Sequence, residues 1–185
     1  MLVCWRRLEE WHEAGVWKRL QSTGSGQLWT RLAWPLPGGQ KSGVNPTDKG
    51  KSGSKRHVVV DRSGIPILGI HSAANVHDCK ALEEAVDAIS PIRNPHRGRP
   101  RKRPVKLHAD KAYDFPRCRR ALRKRGITPR IARRGIESGE ELGRYRWVVE
   151  QTLSWMNRFR RLKVRYERRE DIHQAFLGLG CALIC

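Results

Sequence analysis

Two apolar runs, Arg56-His-Val-Val-Val-Asp61 and Ile65-Pro-Ile-Leu-Gly-Ile-His-Ser72, are separated by Arg62-Ser63-Gly64 alone. So short a gap, ending in glycine, has room only for a tight turn, and the pair predicts an antiparallel β-hairpin. Asn75 with Asp78 three residues later predicts a capped helix start, and Leu82, Ala85, Val86 and Ile89 supply its apolar stripe. A further strand is expected at Val105–Ala109. A basic helix follows over Phe115–Arg125, stopped by Gly126, then a strand at Ile127–Ile131. A long helix from about Gly143 to Phe159 and a shorter apolar one over Ile172–Ile184 complete the order. Hairpin, helix, strand, helix, strand, helix predicts an α/β fold, a mixed sheet flanked by helices.

The part before Lys55 reads differently. Met1–Leu20 places Trp5, Leu8, Trp11, Val16, Trp17 and Leu20 near a helical repeat, which predicts an N-terminal packing helix. Residues 21–54 are rich in glycine and proline and read as linker, with Leu28–Leu36 a candidate first strand. The expected division is therefore a helical remnant over 1–20, a linker with an uncertain first strand over 21–54, and the α/β domain over 55–185. The stretch 45–55 holds lysine, serine and glycine but lacks the spacing of a phosphate loop, so a mononucleotide site is not expected.

A chain of 185 residues with 38 Lys and Arg against 18 Asp and Glu has a net charge of +20, far beyond what solubility needs. Arg117–Arg134 contains no acid, and arginine dominates the densest stretches, which favours bidentate contact with phosphate. Nucleic acid is the expected partner. With no long apolar segment, lipidation motif or signal peptide, a membrane is not expected. Five cysteines at irregular spacing and scattered histidines point to free thiols in a reducing cytosol and to no zinc site.

Two acids stand out against this background. Asp110 ends the strand Val105–Ala109, where open α/β sheets collect ligands, and His108 shares its face by strand alternation. Glu150 lies mid-helix, with Arg146 and Trp147 one turn before it and Leu153 and Ser154 one turn after. Carboxylates on a strand end and a later helix, amid cations, are what a two-metal phosphoryl-transfer site uses. The plainer alternatives are a turn or helix cap for Asp110, an Arg146–Glu150 helix pair, and a structural histidine at 108.

The runs Asn45-Pro-Thr-Asp-Lys-Gly-Lys-Ser-Gly-Ser-Lys-Arg-His57, His108-Ala-Asp-Lys-Ala-Tyr-Asp114 and Arg144-Tyr-Arg-Trp-Val-Val-Glu-Gln-Thr-Leu-Ser-Trp155, with Phe159-Arg-Arg-Leu162, resemble the DDE transposases of bacterial insertion sequences. The insertion-sequence-5 group is the most similar. The resemblance spans 44–185 and returns at Trp5–Leu20. It implies a ribonuclease-H-like core in which two Asp and one Glu hold two Mg²⁺ or Mn²⁺ ions. In an intact relative one ion would activate water or a 3′-hydroxyl and the other would stabilise the leaving oxygen of an in-line displacement.

By the same resemblance the second Asp falls on Asp110, the Glu on Glu150 and an arginine one turn before it on Arg146, with His108 a supporting group. The family's tyrosine falls on Gly143. Lys55, Arg56, Arg119, Arg120, Arg123 and Lys124, together with Arg158, Arg161 and Lys163, are then expected to meet the double-stranded DNA of element ends and target. A homodimer on paired ends, in the bacterial cytoplasm at the nucleoid, is the implied setting. The family's first Asp has no counterpart before Asp48, since the stretch reads Gln27-Leu-Trp-Thr-Arg-Leu-Ala-Trp-Pro-Leu-Pro-Gly-Gly39. That departure, the short upstream part and the end at Cys185 fit a decayed or frameshifted copy, with catalysis or bare DNA binding as the two outcomes.

Overall fold

Asp61 closes the hairpin. Its Oδ1 accepts the backbone N–H groups of Ser63 and Ile65, each at 2.8 Å, while Gly64 takes φ +87°, a conformation that side chains resist. In chain order the elements of the computed structural model are β1 (Gly26–Pro35), β2 (Gly43–Val44), β3 (Ser52–Val60), β4 (Pro66–Ala73), α1 (Asp78–Ala88), β5 (Lys106–Ala109), a 3-10 turn (Lys111–Tyr113), α2 (Pro116–Lys124), β6 (Thr128–Ile131), α3 (Gly139–Arg158), the one-turn α4 (Arg160–Lys163) and α5 (Glu170–Ile184). The structure describes residues 26–35, 39–45, 49–91, 102–133, 135 and 139–185, with backbone alone for 26–35 and 139–146. The helix expected over 1–20 and Asp48 lie outside the described residues.

The strands form one six-stranded mixed sheet. β3 lies between β1 and β4, antiparallel to both, and short β2 pairs with the start of β3. On its other edge β1 runs parallel to β5, which is parallel to β6. This is the mixed, helix-flanked, ribonuclease-H-like arrangement expected from the sequence, and the candidate first strand is present, two residues earlier than its expected start.

Because β3 is central, both of its faces are covered and Val58, Val59 and Val60 are all fully buried. Val59 faces α1 and α2, packing with Leu82, Val86, Leu107, Tyr113 and Leu122. Val58 and Val60 face α3 and α5, packing with Val149, Leu153, Met156 and Leu177. α5 approaches β4 so closely that a Cβ on Gly69 would stand 2.7 Å from Leu177.

One helix cap differs from expectation. The N-cap of α1 is His77, whose side chain accepts the Cys79 N–H at 3.3 Å, rather than Asn75. Asn75 packs against Gly43, where a Cβ would collide with its amide, so a tertiary contact displaces the local cap. Among the described cysteines all four are free; burial pushes the Cys118 and Cys181 thiols up to about 11 and about 12, which keeps them protonated.

Candidate active site and cationic surface

Asp110 follows β5 in an extended conformation, φ −70° and ψ 165°, and its Oδ1 accepts the Lys111 N–H at 2.7 Å. It therefore caps the 3-10 turn that carries the chain off the sheet, which is the plainer of the two sequence readings. Capping uses one lone-pair direction of one oxygen and leaves carboxylate capacity over, so it does not exclude a ligand role. Leu107 and Ala109 belong to the core under α1 and α2. Strand alternation thus assigns His108, and Asp110 after it, to the opposite face, the one covered by α3. His108 is half-buried, and burial together with Arg130 and Lys106 lowers its pKa, so it is a neutral imidazole at pH 7.

The turn after Asp110 is pinned from beneath. Tyr113 is fully buried with its hydroxyl 3.1 Å from His57 Nδ1, and His57 Nε2 lies 2.7 Å from Ser72 Oγ. Burial holds His57 down to about 4 and the Tyr113 phenol well above its ordinary value, so both are neutral and the chain of hydrogen bonds carries no charge. Asp114 grips Arg119 with contacts of 2.6 and 3.2 Å, and Arg119 also donates to the Ile131 carbonyl at 2.9 Å. Strand alternation in the sequence places His57 opposite Val58, but nothing local signals that it reaches Tyr113, 56 residues on.

Glu150 is exposed on α3. The helix is seated by Val148, Val149, Leu153 and Met156 and by the fully buried Thr152, whose hydroxyl donates to the Gly64 carbonyl at 2.6 Å. That seating fixes which face Glu150 presents. Trp147, one turn earlier, is 56% exposed on the same side. The side chain of Arg146, the expected partner of Glu150, lies outside the described residues.

A shared pair of divalent ions needs anionic oxygens from three places. β1 reads Gly-Gln-Leu-Trp-Thr-Arg-Leu-Ala-Trp-Pro and contains no acid, and among the described residues no three His, Cys, Asp or Glu side chains gather at one point. The donors among the described residues do not make up the full metal set.

The cations expected to meet DNA divide into two groups. Several are engaged within the fold. Lys55 Nζ donates to the Val76 carbonyl at 3.1 Å and pairs with Asp78 at 3.0 Å. Arg56 is 3% exposed on the α3 face, donates to Asn157 Oδ1 at 3.0 Å, and is lowered by burial to about 10, still charged at neutral pH. Arg119 is held by Asp114 as above, and Arg161 pairs with Glu167 at 2.6 Å with its guanidinium over the rings of Tyr166 and Phe176. Arg120, Arg123 and Lys124 on α2, Arg158 at the end of α3 and Lys163 on α4 are exposed. Arg120 and Lys124 line a shallow depression with Arg103, Arg117 and Arg125, where Glu83 and Asp87 balance part of the charge.

A second polar cluster escaped the sequence reading. His71 and His173 lie on the α5 side with ring centroids 4.3 Å apart, near Arg56 and Arg165, and both are buried. Arg165 is 3% exposed and donates to the carbonyls of Glu167 and Gln40 at 2.8 and 2.9 Å. Its position in a run of basic residues reads as surface, whereas it bridges the chain before β2 to the loop before α5. No described helix is long and apolar enough to cross a membrane.

Residues 24–185 match the family described as Transposase DDE domain. Over 152 residues, 82% of this chain and 70% of the relative, the sequence is 55% identical to a Burkholderia cepacia protein named as the transposase for insertion sequence element IS402.

Proposed function

Since the chain belongs to the transposase DDE-domain family, we propose that it serves DNA transposition by holding the double-stranded ends of an insertion element on its exposed cationic surface. The observation that carries this is the exposure of Arg120, Arg123 and Lys124 on α2, of Arg158 at the end of α3 and of Lys163 on α4, in a chain of net charge +20. Phosphate contacts from such residues give affinity that is independent of sequence and sensitive to salt. A homodimer on paired ends, at the bacterial nucleoid, is the setting we assign to it.

The family is one of DNA-cutting enzymes that generally use a divalent metal. Asp110 and Glu150 stand for its second aspartate and its glutamate, and Arg146 for its arginine. They would be ligands for Mg²⁺ or Mn²⁺, with Arg146 orienting Glu150 and His108 lending a neutral second contact. With no acid on β1, DNA holding without cutting is the reading favoured by the donor set. Enzymatic cleavage is the second reading, supported by the assignment of Asp110 to the sheet face under the helix that bears Glu150.

One assay separates them. On duplex DNA bearing the element's ends, with Mn²⁺, the first reading expects salt-sensitive binding and no nicked product. Product that vanishes in Asp110→Ala and Glu150→Ala would establish cleavage, and binding no tighter than that of an uncharged control protein would remove both readings.

A further inference from the structure

The missing carboxylate has an address in the sheet. β1 and β5 run parallel with Gly26, Gln27 and Leu28 in step with Leu107, His108 and Ala109. The next step along the same register sets position 29 beside Asp110. The antiparallel pairing on the other edge agrees, since Trp29 lies opposite Val58. Directly opposed residues share a face, and Val58 belongs to the core under α3 and α5. Positions 27, 29 and 31 of β1 are therefore those on the α3 side, and α3 packs across β1.

These three positions hold glutamine, tryptophan and arginine. None is anionic. The one in step with Asp110 is an indole, which donates a single N–H and offers no lone pair to a hard cation. Neighbouring strands lie about 4.8 Å apart, so carboxylates at 29 and 110 on one face can both reach a single ion with Mg–O distances of about 2.1 Å. Positions 28 and 30 of β1 belong to the opposite face and cannot serve.

We infer that Trp29 occupies the place of the lost metal ligand, that the chain for this reason holds no tight divalent pair, and that an aspartate at position 29 alone installs one. The inference deepens the family reading above and rests on it only for the identity of the ligand, a divalent cation.

The test is titration of Mn²⁺ into the full chain, by calorimetry and by the Mn²⁺ electron paramagnetic resonance signal, without DNA. Trp29→Asp is expected to bind at least about tenfold more tightly than the unaltered chain, since a tenfold change needs only about 1.4 kcal/mol. Trp29→Asn, which has the same shape without the charge, should show no gain. Thr30→Asp, on the other face, should show none either, and the gain should vanish in Trp29→Asp combined with Asp110→Asn or with Glu150→Gln. Trp29→Glu replaces the aspartate variant if that one fails to fold, as judged by circular dichroism. The inference is overturned if a folded acidic variant at 29 binds no better than Trp29→Asn, if Thr30→Asp gains equally, or if the unaltered chain already holds two Mn²⁺ ions tightly. DNA binding is measured separately on the same samples, so its absence would count against the proposed function and leave the metal result standing.

Discussion

Acidification should unfold this protein early, because three histidines are built into its interior as neutral bases. His57, His71 and His173 are 0, 1 and 3% exposed. Burial lowers all three, to about 4 for His57, to about 3 for His173 and well below the ordinary value for His71. His71 and His173 also oppose each other's charge and lie near Arg56 and Arg165. Glu167 stands 3.4 Å from His173 and would favour its protonation, but that carboxylate also pairs with Arg161, so burial and the two arginines set the direction.

In the unfolded chain each histidine titrates near about 6.5. Between that value and the lower folded one the unfolded state binds more protons, so stability is intact above about pH 6.5 and drains as the pH falls. At about pH 4.5, two units below the unfolded value, His57 and His173 between them withdraw about 5 kcal/mol, and His71 acts in the same direction. Against a typical total of about 5–15 kcal/mol, that is a large share of the stability of the domain.

Urea unfolding followed by far-ultraviolet circular dichroism between pH 7 and pH 5 reads this directly. Below about pH 6 the unfolding free energy should fall by about 4 kcal/mol per unit, equivalent to three protons taken up on unfolding. His173→Asn should remove about one of those protons even if it lowers stability at pH 7. A free energy that stays level from pH 7 to pH 5, or a proton count unchanged by His173→Asn, would show that these rings are solvated or already charged in the fold.

Three further outcomes are open to measurement. Replacing Arg120 and Lys124 together by alanine should reduce the slope of log binding constant against log salt by about 2 on duplex DNA, without loss of the fold; an unchanged slope would move the DNA elsewhere on the surface. Thr152→Val should cost about 1–3 kcal/mol in chemical denaturation, because the Gly64 carbonyl loses its donor in a buried place, while Thr152→Ser should cost less. Gly69→Ala drives a methyl group into Leu177 and should cost about 1–3 kcal/mol, with part of the loss recovered in combination with Leu177→Ala. Purely additive losses in that pair would contradict the close approach of α5 to β4.

Several elements were legible locally. The hairpin followed from two apolar runs and a turn of three residues, and the turn's own chemistry, Asp61 receiving two N–H groups, is contained within five residues. α2 begins at Pro116 and is released by Gly126 at φ +72°, both readable as punctuation. The α1 cap was misread because Asn75 is used in a contact with Gly43, more than thirty residues earlier. Arg56 and Arg165 read as surface cations because charge in a basic run looks solvated. Their burial follows from β3 being central and from the loop at 40–45 folding back on the segment before α5.

Asp110 and Glu150 were found in the sequence as isolated acids, one ending an apolar strand and the other within an amphipathic helix, since each setting is a pattern within one turn or one strand. What each faces was decided by the tertiary structure. The face of Asp110 is set by Leu107 and Ala109 entering the core, and the seating of Glu150's helix by Thr152 reaching Gly64. Local periodicity and turn chemistry act over a few residues and are written in the chain. Register between β1 and β5, whose paired residues are 81 apart in the chain, depends on packing the whole sheet at once, and only there does the substitution at position 29 acquire a meaning.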